Sequence, residues 1–185
     1  MALALYGGAF DPPHIGHVAV ARAVKLELDV ERLIVLVSER PGHKETHLPA
    51  QTRLELARAA FPDDEVRLDP YPRTIELLRA EDFGDPVFVV GADEFCDFLS
   101  WKEPDAVLEL ARVAVATRPG FPRERLETVL ARLERPERVV FFEIEPNPAA
   151  SREIRALAAA GEPLDGLVPA AVAELIRREG LYAEA

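Results

Sequence analysis

The feature that most constrains this chain is an alternation: unbroken apolar runs are separated by segments of helical period. Leu3-Ala4-Leu5-Tyr6, Leu33-Ile34-Val35-Leu36-Val37, Val87-Phe88-Val89-Val90, Val113-Ala114-Val115-Ala116 and Val139-Val140-Phe141-Phe142 are continuous in apolarity. Continuity predicts strands covered on both faces, and so a parallel sheet. Glu65-Val66-Arg67-Leu68 is a weaker sixth strand. Between the runs, Val18, Ala21, Val24 and Leu28 recur at helical spacing after Pro12-Pro13, and Leu54, Leu56-Ala57 and Ala60 do so after Pro49. Leu126, Val129-Leu130 and Leu133 give a third helix between Pro122 and Pro136. Two more are expected near the C-terminus, one capped by Ser151 and ending at Gly161, the other opened by Pro169 and ending at Gly180. Strand–helix alternation predicts an α/β fold, a Rossmann-like doubly wound parallel sheet whose ligands bind beyond the carboxyl ends of the strands. At 185 residues, one domain spanning 1–185 is expected, with a C-terminal helical part at about 149–182.

Composition narrows the partners. The formal net charge is −11, which argues against a general nucleic-acid surface and requires any anionic ligand to be held by a local cationic pocket. One cysteine, Cys96, excludes a disulfide scaffold and a cysteine-built zinc cluster. No apolar run approaches a membrane span and the N-terminus lacks a signal-peptide pattern, so the expected location is the cytoplasm.

The first strand-to-helix turn carries the chemistry. Gly7-Gly8-Ala9-Phe10-Asp11-Pro12-Pro13-His14-Ile15-Gly16-His17 places glycines where backbone N–H groups can approach an anion, just before a helix start with its unpaired donors and positive dipole end. His14 and His17, three apart, project from one face of the first helical turn, and Gly16 between them leaves room for a ligand.

This segment resembles the signature of the nucleotidylyltransferases with the His-x-Gly-His tetrad. Downstream, Gly91-Ala92-Asp93 followed by Trp101, Arg118-Pro119-Gly120, and Gly42-His43-Lys44 resemble stretches of the bacterial nicotinate-nucleotide adenylyltransferases, with Gly42 where that family has Pro. Ala149-Ala150-Ser151-Arg152-Glu153-Ile154-Arg155 is similar to the family's Ile-Ser-Ser-Thr-x-Ile-Arg, keeping Ser151 and Arg155 while Ala150 and Arg152 replace a Ser and the Thr. Asp69-Pro70-Tyr71-Pro72-Arg73-Thr74-Ile75 departs most from the family's Ser-Tyr-Thr-x-Asp-Thr-Leu and is one residue shorter. The endings Leu167-Val168-Pro169 and Gly180-Leu181-Tyr182 are also similar.

The resemblance implies transfer of AMP from ATP to nicotinate mononucleotide, with Mg²⁺ held by phosphates and water and no metal ligand from the protein. It implies catalytic roles for His14 and His17. The ATP side would be Gly8, Ala9, Phe10, His14, His17, Gly91, Asp93, Arg118, Ser151 and Arg155; the mononucleotide side, Lys44, Tyr71, Thr74 and Trp101. Physically, Asp93 just past a strand end suits ribose hydroxyls, Arg118 an adenine or phosphate, and Trp101 a stacked pyridine. Nicotinamide mononucleotide as acceptor, a phosphopantetheine-type sibling, and a non-catalytic nucleotide-binding module remain as alternatives.

Overall fold

The computed structural model describes residues 2–42 and 45–183. Six parallel strands form one sheet: β1 (Ala2–Gly8), β2 (Val30–Ser38), β3 (Glu65–Asp69), β4 (Val87–Gly91), β5 (Arg112–Thr117) and β6 (Val139–Glu143). Their order is β3-β2-β1-β4-β5-β6, the doubly wound arrangement, with the switch between the adjacent β1 and β4. All six expected strands are present, the weak Glu65–Leu68 run included.

Successive side chains of a strand leave opposite faces, so each central strand feeds two cores. Ala4 and Tyr6 of β1 join the core that holds α1 (Ile15–Glu27), α2 (Ala50–Ala60), α7 (Ser151–Ala159) and α8 (Ala170–Glu179). Leu5, between them, joins the core on the other face with α3 (Thr74–Ala80), α4 (Ala92–Cys96), α5 (Pro104–Leu110) and α6 (Arg123–Leu130). The continuous apolarity of the strands is the direct consequence.

Several details differ from the sequence expectation. Ala150, not Ser151, is the N-cap of α7, and no side chain caps that end; Ser151 is the first helical residue and its hydroxyl is turned elsewhere. Helix α6 ends at Leu130, so Leu133 packs into the core from beyond it. Helices α3, α4 and α5 were not expected. They have seven, five and seven residues, two turns at most, too short for a period to show. Gly180 closes α8 as anticipated, at φ +60°, where glycine avoids the Cβ penalty.

Candidate active site

The turn leaving β1 is built around Phe10. Its φ is +50°, a left-handed conformation that costs a non-glycine residue of order 1 kcal/mol. Burial of the ring holds it there: Phe10 packs edge-on against Tyr6 and Phe61, at centroid distances of 5.6 and 5.7 Å, and lies 5.1 Å from the His17 ring. A Cβ on Gly8 would come within 2.9 Å of the Phe10 Cζ, so glycine at position 8 is a packing requirement as well as an opening for ligand. The guanidinium of Arg53, fully buried on α2, donates from Nη1 to Ala9 O at 2.7 Å and from Nε to Leu48 O at 3.1 Å.

His14 and His17 cap α1 reciprocally. His14 is the N-cap, and its Nδ1 accepts the Gly16 N–H at 3.1 Å. In return, Nδ1 of His17 accepts the His14 N–H at 3.1 Å. The two rings lie 3.8 Å apart, centroid to centroid. This is a capping box made of imidazoles. Both Nδ1 atoms are acceptors, so the proton of each neutral ring resides on Nε2, away from the helix backbone. Desolvation lowers the His14 pKa from its ordinary 6.5 to about 4, so His14 is neutral at pH 7. A Cβ on Gly16 would come within 3.0 Å of the His14 ring and 3.7 Å of Asn147 Oδ1, which explains the glycine between the histidines.

The next residue, Asp11, is buried and collects donors from distant parts of the chain. Its Oδ1 accepts the Tyr182 hydroxyl at 2.7 Å, and its Oδ2 accepts the His47 N–H. The Arg155 guanidinium donates to Asp11 O at 2.7 Å, and the Ser151 hydroxyl to Pro12 O at 2.9 Å. Ser151 and Arg155 thus stand beside the turn and brace it, Ser151 with its single hydroxyl proton and Arg155 with one of its guanidinium N–H groups. Burial and the neighbouring Asp11 push the Tyr182 hydroxyl well above its usual range, which keeps it a donor.

A cleft of about 760 Å³ opens beside this turn at the switch between β1 and β4. Its walls include Gly8 and Ala9 together with Tyr71, Thr74 and Trp101, so three of the four residues expected on the mononucleotide side share one cavity with the turn. The fourth, Lys44, lies outside the described residues. Trp101 packs against Phe98 and Phe88, at 5.1 and 6.1 Å between centroids. The remaining expected residues are not in the cleft walls. His14, His17, Ser151 and Arg155 surround the helix start. Asp93 and Arg118 form an exposed ion pair at 3.8 Å past the ends of β4 and β5. Gly91 is the N-cap of α4, so Asp93 is a first-turn residue and not a cap. Gly8 and Ala9 of the turn form part of the cleft wall, so the helix start and the cleft adjoin there.

The chain matches the cytidylyltransferase-like family over residues 5–179. It is 36% identical to a protein of Rubrobacter xylanophilus described as a probable nicotinate-nucleotide adenylyltransferase, over 98% of this chain and 92% of that one. A relative of the same description from Thermus thermophilus is 34% identical, over 98% and 100% of the two chains. The chain belongs to the nicotinate-nucleotide adenylyltransferase family. The fold agrees with a solved structure of the Plasmodium falciparum nicotinic acid mononucleotide adenylyltransferase, determined with NaAD, at a TM-score of 0.74 and 16% identity, covering 98% of this chain and 97% of that one.

For a nicotinate-nucleotide adenylyltransferase, this chain holds its turn with residues that sequence reasoning passed over. Arg53 lies three, four and seven residues before Leu56, Ala57 and Ala60, on the buried face of α2. A cation on an apolar face was the available signal. Asp11 was visible in the turn, but its partners Tyr182 and His47 lie 171 and 36 positions away, and nothing local points to them.

Proposed function

We propose that the protein transfers the adenylyl group of ATP to the 5′-phosphate of nicotinate mononucleotide, giving deamido-NAD and pyrophosphate, a step of NAD biosynthesis. The observation that carries this is the imidazole capping box at the start of α1, set beside a cleft that opens at the sheet's switch point. The names of the full-length relatives agree with it.

The acceptor phosphate is already an anion at neutral pH, so the reaction needs alignment and charge neutralisation more than a strong base. An acceptor oxygen attacks the α-phosphorus in line, the new P–O bond forms, and the bond to the β-phosphate oxygen breaks with pyrophosphate leaving. In this reading, His17 directs its Nε2–H at the α-phosphate and His14 assists as a neutral donor. Backbone groups of Gly8, Ala9 and Phe10 complete the cradle. The main-chain N–H of Ser151 at the start of α7 and the remaining guanidinium donors of Arg155 hold the β- and γ-phosphates. Gly91, Asp93 and Arg118 border the adenosine. Lys44 meets the acceptor phosphate, and Tyr71, Thr74 and Trp101 enclose the pyridine nucleoside.

Mg²⁺ enters as part of the nucleotide. Among the described residues no three His, Cys, Asp or Glu side chains form a group that would hold it, and phosphate oxygens and water are its ordinary ligands. Bound there, it supplies charge neutralisation at the phosphates. A cytoplasmic location, where ATP is made, belongs to the same reading.

The test is pyrophosphate release and dinucleotide formation from ATP with each mononucleotide, using the wild type and His17→Gln. Gln retains an acceptor for the His14 N–H, as in an ordinary capping box. Turnover should fall about 10²–10³-fold, the effect of removing one oriented transition-state donor, while thermal stability stays close to wild type. Near wild-type turnover in this variant would remove His17 from the chemistry. ATP binding without pyrophosphate release for either acceptor would leave a binding module.

A further inference from the structure

We propose that Arg73 makes the cleft selective for an acceptor whose ring bears a carboxylate over the corresponding amide. The inference deepens the function proposed above and rests on it.

The charge inventory of the cleft is the starting point. Its walls carry the carboxyl groups of Asp69, Glu94 and Asp97 and the cations Arg40, Arg73 and Lys102. Lys102 is engaged by Glu76 at 2.7 Å. Most arginines elsewhere in the chain face a carboxylate: Arg67 meets Glu81, Arg79 meets Glu103, and Arg138 meets Asp85. Among the described residues, Arg40 and Arg73 have no carboxylate within ion-pair distance. The polar contact of Arg73 is local, from Nη1 to Pro72 O at 3.1 Å. Without these two arginines, three carboxyl groups would favour a neutral ring. With them, an anion becomes acceptable, so the arginines set the sign of the preference.

Sheet order separates their roles. The acceptor phosphate must reach the turn after β1, where the nucleotide lies. Arg40 follows β2, one strand away from β1. Arg73 follows β3, two strands away, which is about 10 Å across the sheet. That places Arg73 at the ring end of a mononucleotide whose phosphate end points to the turn at Gly8 and Ala9. The Arg73 guanidinium also reaches towards the loop after β2: Nη1 lies 3.9 Å from where a Cβ on Gly42 would be. It therefore approaches the loop after β2 across the cleft wall, in which Trp101 also stands. A guanidinium forks onto a carboxylate through two parallel N–H donors; a carboxamide offers one oxygen acceptor and no charge. Where the resembled motif has Asp before its Thr, this chain has Arg73 before Thr74.

The experiment measures kcat/KM for nicotinate and nicotinamide mononucleotides with the wild type, Arg73→Ala, Arg73→Lys and Arg40→Ala. The wild type should prefer the acid. Arg73→Ala should reduce the acid-to-amide ratio at least tenfold, chiefly through KM for the acid, with Arg73→Lys restoring part of it. Arg40→Ala, nearer the phosphate common to both acceptors, should lower both in proportion. Titration of each mononucleotide without ATP reads the same preference independently of turnover. A protein that binds the acid selectively through Arg73 yet transfers nothing would sink the proposed reaction and leave this inference standing. A wild type that prefers the amide, or a ratio unmoved by Arg73→Ala, overturns it.

Discussion

At the scale of single residues, the two histidines do two jobs with different atoms. Their Nδ1 atoms hold the first turn of α1, and in the proposed reaction their Nε2–H groups face the phosphates. Burial makes His14 a source of pH-dependent stability. Its folded pKa, about 4, lies below the ordinary 6.5 because burial penalises the imidazolium. Above pH 6.5 both folded and unfolded states hold the ring neutral, and the stabilisation is fully present. As pH falls from 6.5 towards 4 the unfolded chain takes up the proton first, and stability is lost across that window. The fall from 6.5 to about 4 sets an upper bound of roughly 3.4 kcal/mol, reduced in practice because the ring is partly exposed. His14→Asn keeps an N-cap acceptor but does not titrate. Its melting temperature should therefore fall less steeply between pH 6.5 and 4 than that of the wild type; parallel slopes would show that His14 protonation is not coupled to folding.

At the scale of elements, what the sequence reveals depends on how much of an element's pattern is local. Five strands are legible because each is a run of apolar residues feeding both cores; β3 alternates charged and apolar residues and puts Val66 and Leu68 into one core only, which is why its signal is weaker. Helices α1, α2 and α8 are legible because ten or more residues repeat a period between breakers. Helices α3 to α5 are not, since two turns cannot establish one. The site divides the same way. His14, Gly16 and His17 are readable within four residues, whereas the brace on the turn is not, because Arg53 reaches Ala9 from 44 positions away. That contact ties α2 to the turn after β1. Burial lowers the Arg53 pKa, while nearby Asp11 opposes the shift, and its two carbonyl contacts replace part of the lost hydration. Arg53→Met conserves most of the buried volume but orphans both carbonyls, each worth about 1–3 kcal/mol when left unsatisfied. Chemical denaturation should show a loss of about 2–6 kcal/mol, accompanied by a raised KM for ATP as the Phe10 turn relaxes. A stable variant with unchanged KM would mean that the turn holds its shape by packing alone.

At the scale of the whole molecule, the turn after β1 is where the ends of the chain are tied together. Tyr182 reaches Asp11 from the C-terminal end, His47 from the segment after β2, Arg155 and Ser151 from α7, and Leu167 accepts the Ile15 N–H at 3.0 Å from the approach to α8. These contacts span up to 171 positions, so the cradle assembles only when the whole sheet and its helical cover are in place. A binding turn fixed in this way costs little to organise when ligand arrives, which is how a scaffold contributes to alignment. It also couples global stability to the site. Tyr182→Phe removes one hydroxyl and leaves the ring, at a cost of about 1–3 kcal/mol for the Asp11 oxygen that loses its donor. For a chain of this length that corresponds to a melting temperature lower by roughly 2–12 °C. The distinguishing readout is a double-mutant cycle with Asp11→Asn, followed both by denaturation and by KM for ATP. If Tyr182 acts through Asp11, the second substitution adds little to the first in both measurements; full additivity in KM would mean that the C-terminal end affects the nucleotide by a route that bypasses the turn.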